Sequence, residues 1–227
     1  MTFIVTAGPT REYIDPVRFL SNPSTGRMGF AVARAARSAG HDVVLVAGPV
    51  ALRTPKGVER VDVVSARDML AAVMAALRER VPRGPVALVM TAAVADWRPA
   101  QCAAGKLKKS QMNGVLKLVR NLDVLKEVDA WVRSRVGTRV PRVRNSVRLV
   151  RVGFAAETGA PAAEAARKCR EKGLDLVVGN DVTSPGSGFG TATNRVTFVF
   201  PDGSARPLPL LSKLAVARRI VAFCENI

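Results

Sequence analysis

The chain has 227 residues, enough for one α/β domain with a substantial core, and 48% of them are hydrophobic. Aromatic residues make up only 5%, so Val, Ala and Leu must fill that core, as they do in parallel sheets under helices. A count of 35 Lys and Arg against 18 Asp and Glu leaves a formal charge of +17, which favours anionic partners without choosing among nucleotides, nucleic acid and membrane surfaces.

Strand-like and helix-like segments alternate along the chain. Residues 3–6 are a short apolar run leading into a glycine-containing turn and predict a first strand. Residues 26–39, rich in Ala, predict a helix, and 42–46 and 60–64 the next two strands. Residues 66–80 place Met69, Leu70, Val73, Met74 and Leu77 at i, i+3, i+4 spacing, which predicts an amphipathic helix. A buried-type strand over 86–90 ends in Thr91-Ala92-Ala93. Further strands are expected at 116–119, 149–154 and 174–178, with helices starting near 124 and 162. Repeated strand–helix units predict an α/β fold with a doubly wound, mostly parallel sheet and right-handed crossovers. The end differs: 195–200 and 205–208 flank Pro201-Asp202-Gly203-Ser204 and read as a C-terminal β-hairpin about an Asp-Gly turn, before a helix over 212–224. Such a hairpin either pairs subunits or caps the sheet within one chain. With no repeat and no linker, residues 1–227 read as a single domain.

Cys102, Cys169 and Cys224 form no CxxC pair, and with His41 as the one histidine they offer no zinc set. Reduced thiols in the cytoplasm are the natural expectation, and Cys102, near a candidate loop, reads better as a plain thiol than as a nucleophile. No basic, apolar leader opens the chain and no run approaches the length of a bilayer, so a soluble protein without a membrane partner is expected. Between Arg133 and Arg151 there are seven arginines and no acidic residue, which reads as a solvated basic loop.

Ligands of open α/β sheets lie beyond the carboxyl ends of the strands. After the first strand come Ala7-Gly8-Pro9-Thr10-Arg11 and then residues 15–29, ending in Ser24-Thr25-Gly26-Arg27-Met28-Gly29 just ahead of a helix. Gly, Ser, Thr and Asn in that place present backbone N–H groups to a phosphate or carboxylate. The spacing is neither GxGxxG nor a Walker A loop, so alone it is balanced between a phosphate-binding turn and an ordinary crossover.

The segments TAGPTRE, IDPVRFLSN and STGRMGFAVA resemble the start of phosphopantothenate–cysteine ligase, the second activity of the bifunctional coenzyme A biosynthesis protein. Four more stretches match in order. These are Ala92-Ala93-Val94-Ala95-Asp96-Trp97-Arg98-Pro99, Lys106-Leu107-Lys108-Lys109, Val152-Gly153-Phe154-Ala155-Ala156-Glu157-Thr158 and Asp175-Leu176-Val177-Val178-Gly179-Asn180-Asp181-Val182. The resemblance spans nearly the whole chain and implies a Rossmann-like sheet. No leading segment for a flavin-dependent decarboxylase is seen, which implies a stand-alone ligase.

The resemblance implies a two-step reaction. The carboxylate of 4′-phosphopantothenate attacks the α-phosphate of a nucleotide, CTP in most bacterial members, and pyrophosphate leaves. The amine of cysteine then attacks the acyl carbon and expels the nucleoside monophosphate. Negative charge crowds the first step, so cations and Mg²⁺ are expected to neutralise it. Lys106 resembles the family's lysine on the α-phosphate, and Asp96 would help hold the metal or the nucleotide. Met90, Thr91 and Ala92 would line the base pocket with backbone groups. Asp123, with Leu122, Val124 and Leu125, matches the family's Asn-Pro-Asp stretch at the nucleotide, with Leu122 standing where the family has Pro. Phe154 would pack on the pyrimidine, or simply close a strand end as a core aromatic. Lys168 and Lys172, one helical turn apart, resemble the pair that reaches the triphosphate. Asn22 matches the asparagine assigned to the acyl intermediate, and Arg18 would bind the substrate's phosphate or carboxylate. A homodimer, as in relatives, is suggested by the hairpin near Asp202.

The loop Gly186-Ser187-Gly188-Phe189-Gly190 and the following Thr191-Ala192-Thr193-Asn194 depart from the family, which usually has an acidic residue near Ala192. That departure and the arginine-rich segment are expected to bear on stability or assembly rather than chemistry. Two other functions compete. A nicotinamide-dependent oxidoreductase wants a glycine fingerprint and a Tyr-xxx-Lys pair, but Tyr13 has no lysine four residues on. A nucleic-acid-binding module wants exposed aromatics near its basic strip, and the span from Arg133 to Arg151 has none.

Overall fold

A computed structural model of the chain describes residues 1–108, 114–136, 148–157, 161–181, 186–188 and 190–227. The first half comprises β1 (Thr2–Ala7), β2 (Arg11–Tyr13), β3 (Phe19–Ser21), α1 (Arg27–Ser38), β4 (Asp42–Ala47) and β5 (Glu59–Asp62). Then come α2 (Ala66–Arg80), β6 (Val86–Met90), β7 (Trp97–Pro99), β8 (Leu118–Arg120) and α3 (Val124–Val136). The second half holds β9 (Leu149–Glu157), α4 (Pro161–Glu171), β10 (Leu176–Asp181), β11 (Thr193–Asn194), β12 (Val196–Val199) and β13 (Ala205–Pro207). β14 (Leu211–Ser212) leads into α5 (Lys213–Asn226).

β1, β4 and β6 are buried almost throughout, because helices cover both faces of the sheet. Side chains alternate between those faces with a period of two. Phe3, Val5 and Ala7 pack with α1 and α5, while Ile4, Val44 and Val46 meet Met69, Val73 and Leu77 of α2 and Val124 and Val128 of α3. α4 covers the same side as α2 and α3 further along, where Ala165 and Cys169 pack with Val177 and Val199.

The main sheet has eight strands in the order β13-β12-β10-β9-β6-β1-β4-β5. Its pairs from β5 to β10 are all parallel, and β12 and β13 add antiparallel strands at one edge. This is the doubly wound, mostly parallel architecture expected. The hairpin is also present: Gly203 takes φ +87°, and Ser204 N–H donates to Asp202 Oδ1 at 2.9 Å. It extends the sheet within the chain. Its outer strand β13 is short and carries Arg206 and Pro207, features that blunt an edge against further pairing. Exposed apolar residues gather instead on β2–β3 and β7–β8, where Tyr13, Phe19, Trp97 and Leu118 are all at least 36% exposed.

One strand expectation needs correction. The segment expected at 116–119 forms β8, which pairs antiparallel with β7 in a separate two-stranded ribbon and never joins the main sheet. Arg120 lies over the Trp97 ring at 5.1 Å and secures that ribbon. The arginine-rich stretch falls largely in 137–147, outside the described residues, as do Lys109, Thr158 and Val182. At its described ends, Arg133 and Arg151 both pair with Asp129, at 2.7 and 2.8 Å.

Candidate nucleotide site

From β1 the chain runs through α1 to β4 on one side, and later returns to place β6 on the other. The carboxyl ends of β1 and β6 therefore flank the topological switch point, where open α/β sheets bind ligands. A cavity of about 310 Å³ opens there.

The segment following β6 is stitched to the end of β1. Ala92 N–H donates to Thr6 Oγ1 at 3.1 Å, Ala93 N–H to the Gly8 carbonyl at 2.9 Å and Ala95 N–H to Thr10 Oγ1 at 3.0 Å. Thr91 Oγ1 donates to the Thr6 carbonyl at 2.7 Å. Thr6 and Thr10 are fully buried and serve as these brackets. Met90, Thr91 and Ala92 line the cavity. Three N–H groups of the segment are thus spent internally, and the Ala93 and Ala95 carbonyls accept from the Nδ2 groups of Asn22 and Asn121.

α1 enters from the opposite side. Gly26 is its N-cap in the left-handed region, with no side chain capping the first turn, so that turn's N–H groups remain open to an anion. At Gly29 a Cβ would lie 2.5 Å from the Ala7 Cβ and 2.6 Å from Thr91 Oγ1, so only glycine lets the helix start come this close to both strand ends. Ser24 through Met28 line the cavity.

Leu122, Asp123, Val124 and Leu125 supply a third wall. Asp123 Oδ1 accepts from the N–H groups of Leu125 and Lys126 at 3.1 and 3.3 Å, capping α3. Its other oxygen pairs with Lys172 at 2.8 Å. Burial pushes the Asp123 carboxyl up, but the Lys172 hydrogen bond and charge, with those N–H groups, hold it below its ordinary range. Beside Leu122, Asn121 N–H donates to the Asp96 carbonyl at 2.8 Å and its Nδ2 to the Ala95 carbonyl at 2.8 Å.

Phe154 within β9, Lys168 of α4 and Lys172 just beyond it all line the cavity. Phe154 also packs against the buried cluster beneath, which agrees with its reading as a core aromatic. Asp96 stands exposed in the cavity wall, and its carboxylate makes no hydrogen bond or ion pair among the described residues.

Arg18, Asn22 and Lys106 lie outside that lining. Asn22 is tied to the lining: its Nδ2 donates to the Ala93 carbonyl at 3.1 Å, and Ala93 lines the cavity. Arg18 Nε donates to Asp15 Oδ2 at 3.0 Å and Nη2 to the Leu107 carbonyl at 3.0 Å, while Leu107 N–H donates to Asp15 at 3.2 Å. Arg18 and the fully buried Asp15 thereby anchor the backbone next to Lys106, whose own side chain is exposed. The Arg18 guanidinium, opposed by burial but aided by the N–H groups of Val17, Arg18 and Leu107, holds Asp15 well below the usual carboxylate range.

The glycine-rich loop, expected to bear on stability or assembly, reaches the same cavity. Gly188 and Asn194 line the cavity, and Asn194 Oδ1 accepts from Gly188 N–H at 3.1 Å. Asn180 and Lys213 share that wall, and none of the sequence motifs singled out Lys213. A lysine opening the last helix carries no local signal of burial, whereas Asn180 was within reach through the Gly179-Asn180-Asp181 stretch.

Residues 1–227 match the family described as DNA/pantothenate metabolism flavoprotein C-terminal domain. The chain is 43% identical over 219 residues to the coenzyme A biosynthesis bifunctional protein CoaBC of Bacillus subtilis (strain 168), covering 96% of this chain and 49% of that protein. It is 42% identical over 216 residues to the CoaBC protein of Escherichia coli (strain K12), covering 94% and 48%. The chain thus spans about half the length of the curated relatives it matches. The crystal structure of the C-terminal domain of CoaBC aligns with a TM-score of 0.74 at 37% identity, covering 99% of this chain and 93% of that one. A Cab2 variant in complex with phosphopantothenate-cysteine shares the fold, with a TM-score of 0.71 at 13% identity, covering 99% and 86%. Matched along its full length by the family and at 43% identity by a curated relative, the chain belongs to the DNA/pantothenate metabolism flavoprotein C-terminal domain family.

Proposed function

We propose that this chain joins 4′-phosphopantothenate to cysteine in the cytoplasm through an acyl-nucleotide, with CTP as the preferred nucleotide. The observation that carries this reading is the cavity at the β1/β6 switch point, which gathers a helix N-terminus, Phe154, Lys168 and Lys172 around one volume. A substrate carboxylate oxygen bonds to the α-phosphorus, the bond to the bridging oxygen of the β-phosphate breaks, and pyrophosphate leaves with the electron pair. The cysteine nitrogen then bonds to the acyl carbon, the carbon–oxygen bond to the nucleotide breaks, and the monophosphate leaves. The amine's proton passes to solvent.

Lys106 serves as the cation at the α-phosphate, and the Asp15–Arg18–Leu107 anchor beside it supports that reading. Asn22, at the mouth beside Ala93, is suited to donate its amide hydrogen to the acyl oxygen as that oxygen gains charge. Arg18 serves the substrate side from the same cluster. The described residues contain no group of three His, Cys, Asp or Glu side chains fit to hold a metal by themselves. Mg²⁺ needs only one or two carboxylates when phosphates complete its shell, and the uncommitted Asp96 fits that role. When bound there, the ion neutralises phosphate charge. The exposed apolar residues of β2–β3 and β7–β8 support a homodimer.

Pyrophosphate release measured with 4′-phosphopantothenate, cysteine, Mg²⁺ and either CTP or ATP tests the reading. Release is expected, and its absence with both nucleotides overturns the proposal. Lys106→Gln should abolish formation of the acyl-nucleotide, whereas Asn22→Asp should form it and fail to transfer it to cysteine. Full turnover in both variants would reject these roles.

A further inference from the structure

Lys213 opens α5 and is only 7% exposed, yet no carboxylate pairs with it among the described residues. Its Nζ donates to the Gly188 carbonyl at 3.0 Å, which occupies one of the three protons of an ammonium. Burial first, and then the neighbouring Arg27 guanidinium, pull Lys213 below the ordinary lysine range. An ammonium withdrawn from water without a counter-ion is costly, and a second cation beside it adds repulsion. Binding an anion would relieve both.

The position of Lys213 says where such an anion lies. Lys213 lines the cavity with Arg27, Ser24 and Gly26, at the start of α1. The first turn of that helix has neither an acidic residue nor a side-chain cap, so its N–H groups add partial positive charge at the same end. Arg27 Nη1 donates to the Gly190 carbonyl at 3.0 Å, so both cations hold the glycine-rich loop that closes this wall. Across the cavity the charge of Lys172 is already matched by Asp123 at 2.8 Å.

We propose that Lys213, with Arg27 and the N-terminus of α1, binds the β- and γ-phosphates of the nucleotide, the pair that departs as pyrophosphate. The inference rests on the nucleotide-dependent reading above. When the carboxylate oxygen bonds to the α-phosphorus and the bond to the β-phosphate breaks, the released electron pair resides on the pyrophosphate. The Lys213 ammonium stabilises that gathering charge. Lys213 is a leaving-group residue, set apart from Lys106 and from the Lys168 and Lys172 wall.

Calorimetry on the wild type, Lys213→Met and Lys213→Arg tests this with Mg²⁺ and two ligand pairs, CTP against CMP and ATP against AMP. For the pair that the wild type binds, Lys213→Met should weaken the triphosphate by about ten- to a hundredfold, the worth of one charged hydrogen bond. It should leave the monophosphate unchanged and raise the inhibition constant of inorganic pyrophosphate. Lys213→Arg should recover much of the triphosphate affinity. Melting followed in parallel should show Lys213→Met no less stable than the wild type, since an unmatched buried charge has been removed. Equal losses for triphosphate and monophosphate, or no loss in either, would overturn the inference and leave Lys213 as a strap for the loop, with nucleotide binding still standing. A wild type that binds no nucleotide would instead overturn the functional reading, and this inference with it.

Discussion

The carboxylate of Asp15 is fully buried and collects hydrogen bonds from Arg18 Nε and from the N–H groups of Val17, Arg18 and Leu107. The Arg18 guanidinium and these N–H groups depress its pKa on folding, so Asp15 stabilises the native state above about pH 4 and loses that contribution as pH falls below it. Asp15→Asn should therefore lower the melting temperature at pH 7, with the gap to the wild type closing toward pH 3. If the anchor positions Lys106, the same variant should also slow pyrophosphate release. The cysteines give a second test. Burial raises the Cys169 thiol to about 11 and the Cys224 thiol to about 12, while Cys102 is exposed. Mass spectrometry after brief alkylation at pH 7.5 should find Cys102 labelled and the other two protected until the chain is unfolded. At this scale the shared cavity lining of Asp96, Asp123, Phe154, Lys168 and Lys172 was legible through the resemblance, which named them one by one. Lys213 was not, since its burial depends on α1, α5 and the glycine-rich loop meeting in space.

Ser65 begins α2 with a reciprocal box, its Oγ accepting from Asp68 N–H at 3.2 Å while Asp68 Oδ2 accepts from Ser65 N–H at 2.9 Å. Ser65→Ala should cost about 1 kcal/mol in chemical denaturation without changing nucleotide affinity, because the cap lies away from the cavity. That helix follows the predicted span of 66–80 residue for residue, since its apolar spacing and its cap are both local. The strand at 116–119 was legible as an extended segment but not as β8 of a separate ribbon. Pairing with Trp97–Pro99 depends on a long excursion of the chain folding back, and periodicity is silent on partners. The short pairs β2–β3 and β11–β14 escaped for the same reason, at three and two residues per strand.

Across the whole molecule, the exposed Tyr13, Phe19, Trp97 and Leu118 lie on the β2–β3 and β7–β8 ribbons, whose strands β2 and β7 touch. Sedimentation at micromolar concentration should find a dimer, and Leu118→Asp should shift it to monomer by placing a charge in an apolar contact. A wild-type monomer would reject the homodimer. The sequence by itself determined the alternation of elements, the parallel core, the Asp-Gly hairpin and the family, because apolar periodicity, turn chemistry and ordered motifs are properties of consecutive residues. Only the tertiary structure decided which side chains share the cavity. It brought the glycine-rich loop and Lys213 against the start of α1, and it spent the N–H groups of Ala92, Ala93 and Ala95 on Thr6, Gly8 and Thr10. Those outcomes follow from the crossing of the chain between β1 and β6, which joins residues far apart in sequence, and from burial, which exists only once the layers are packed.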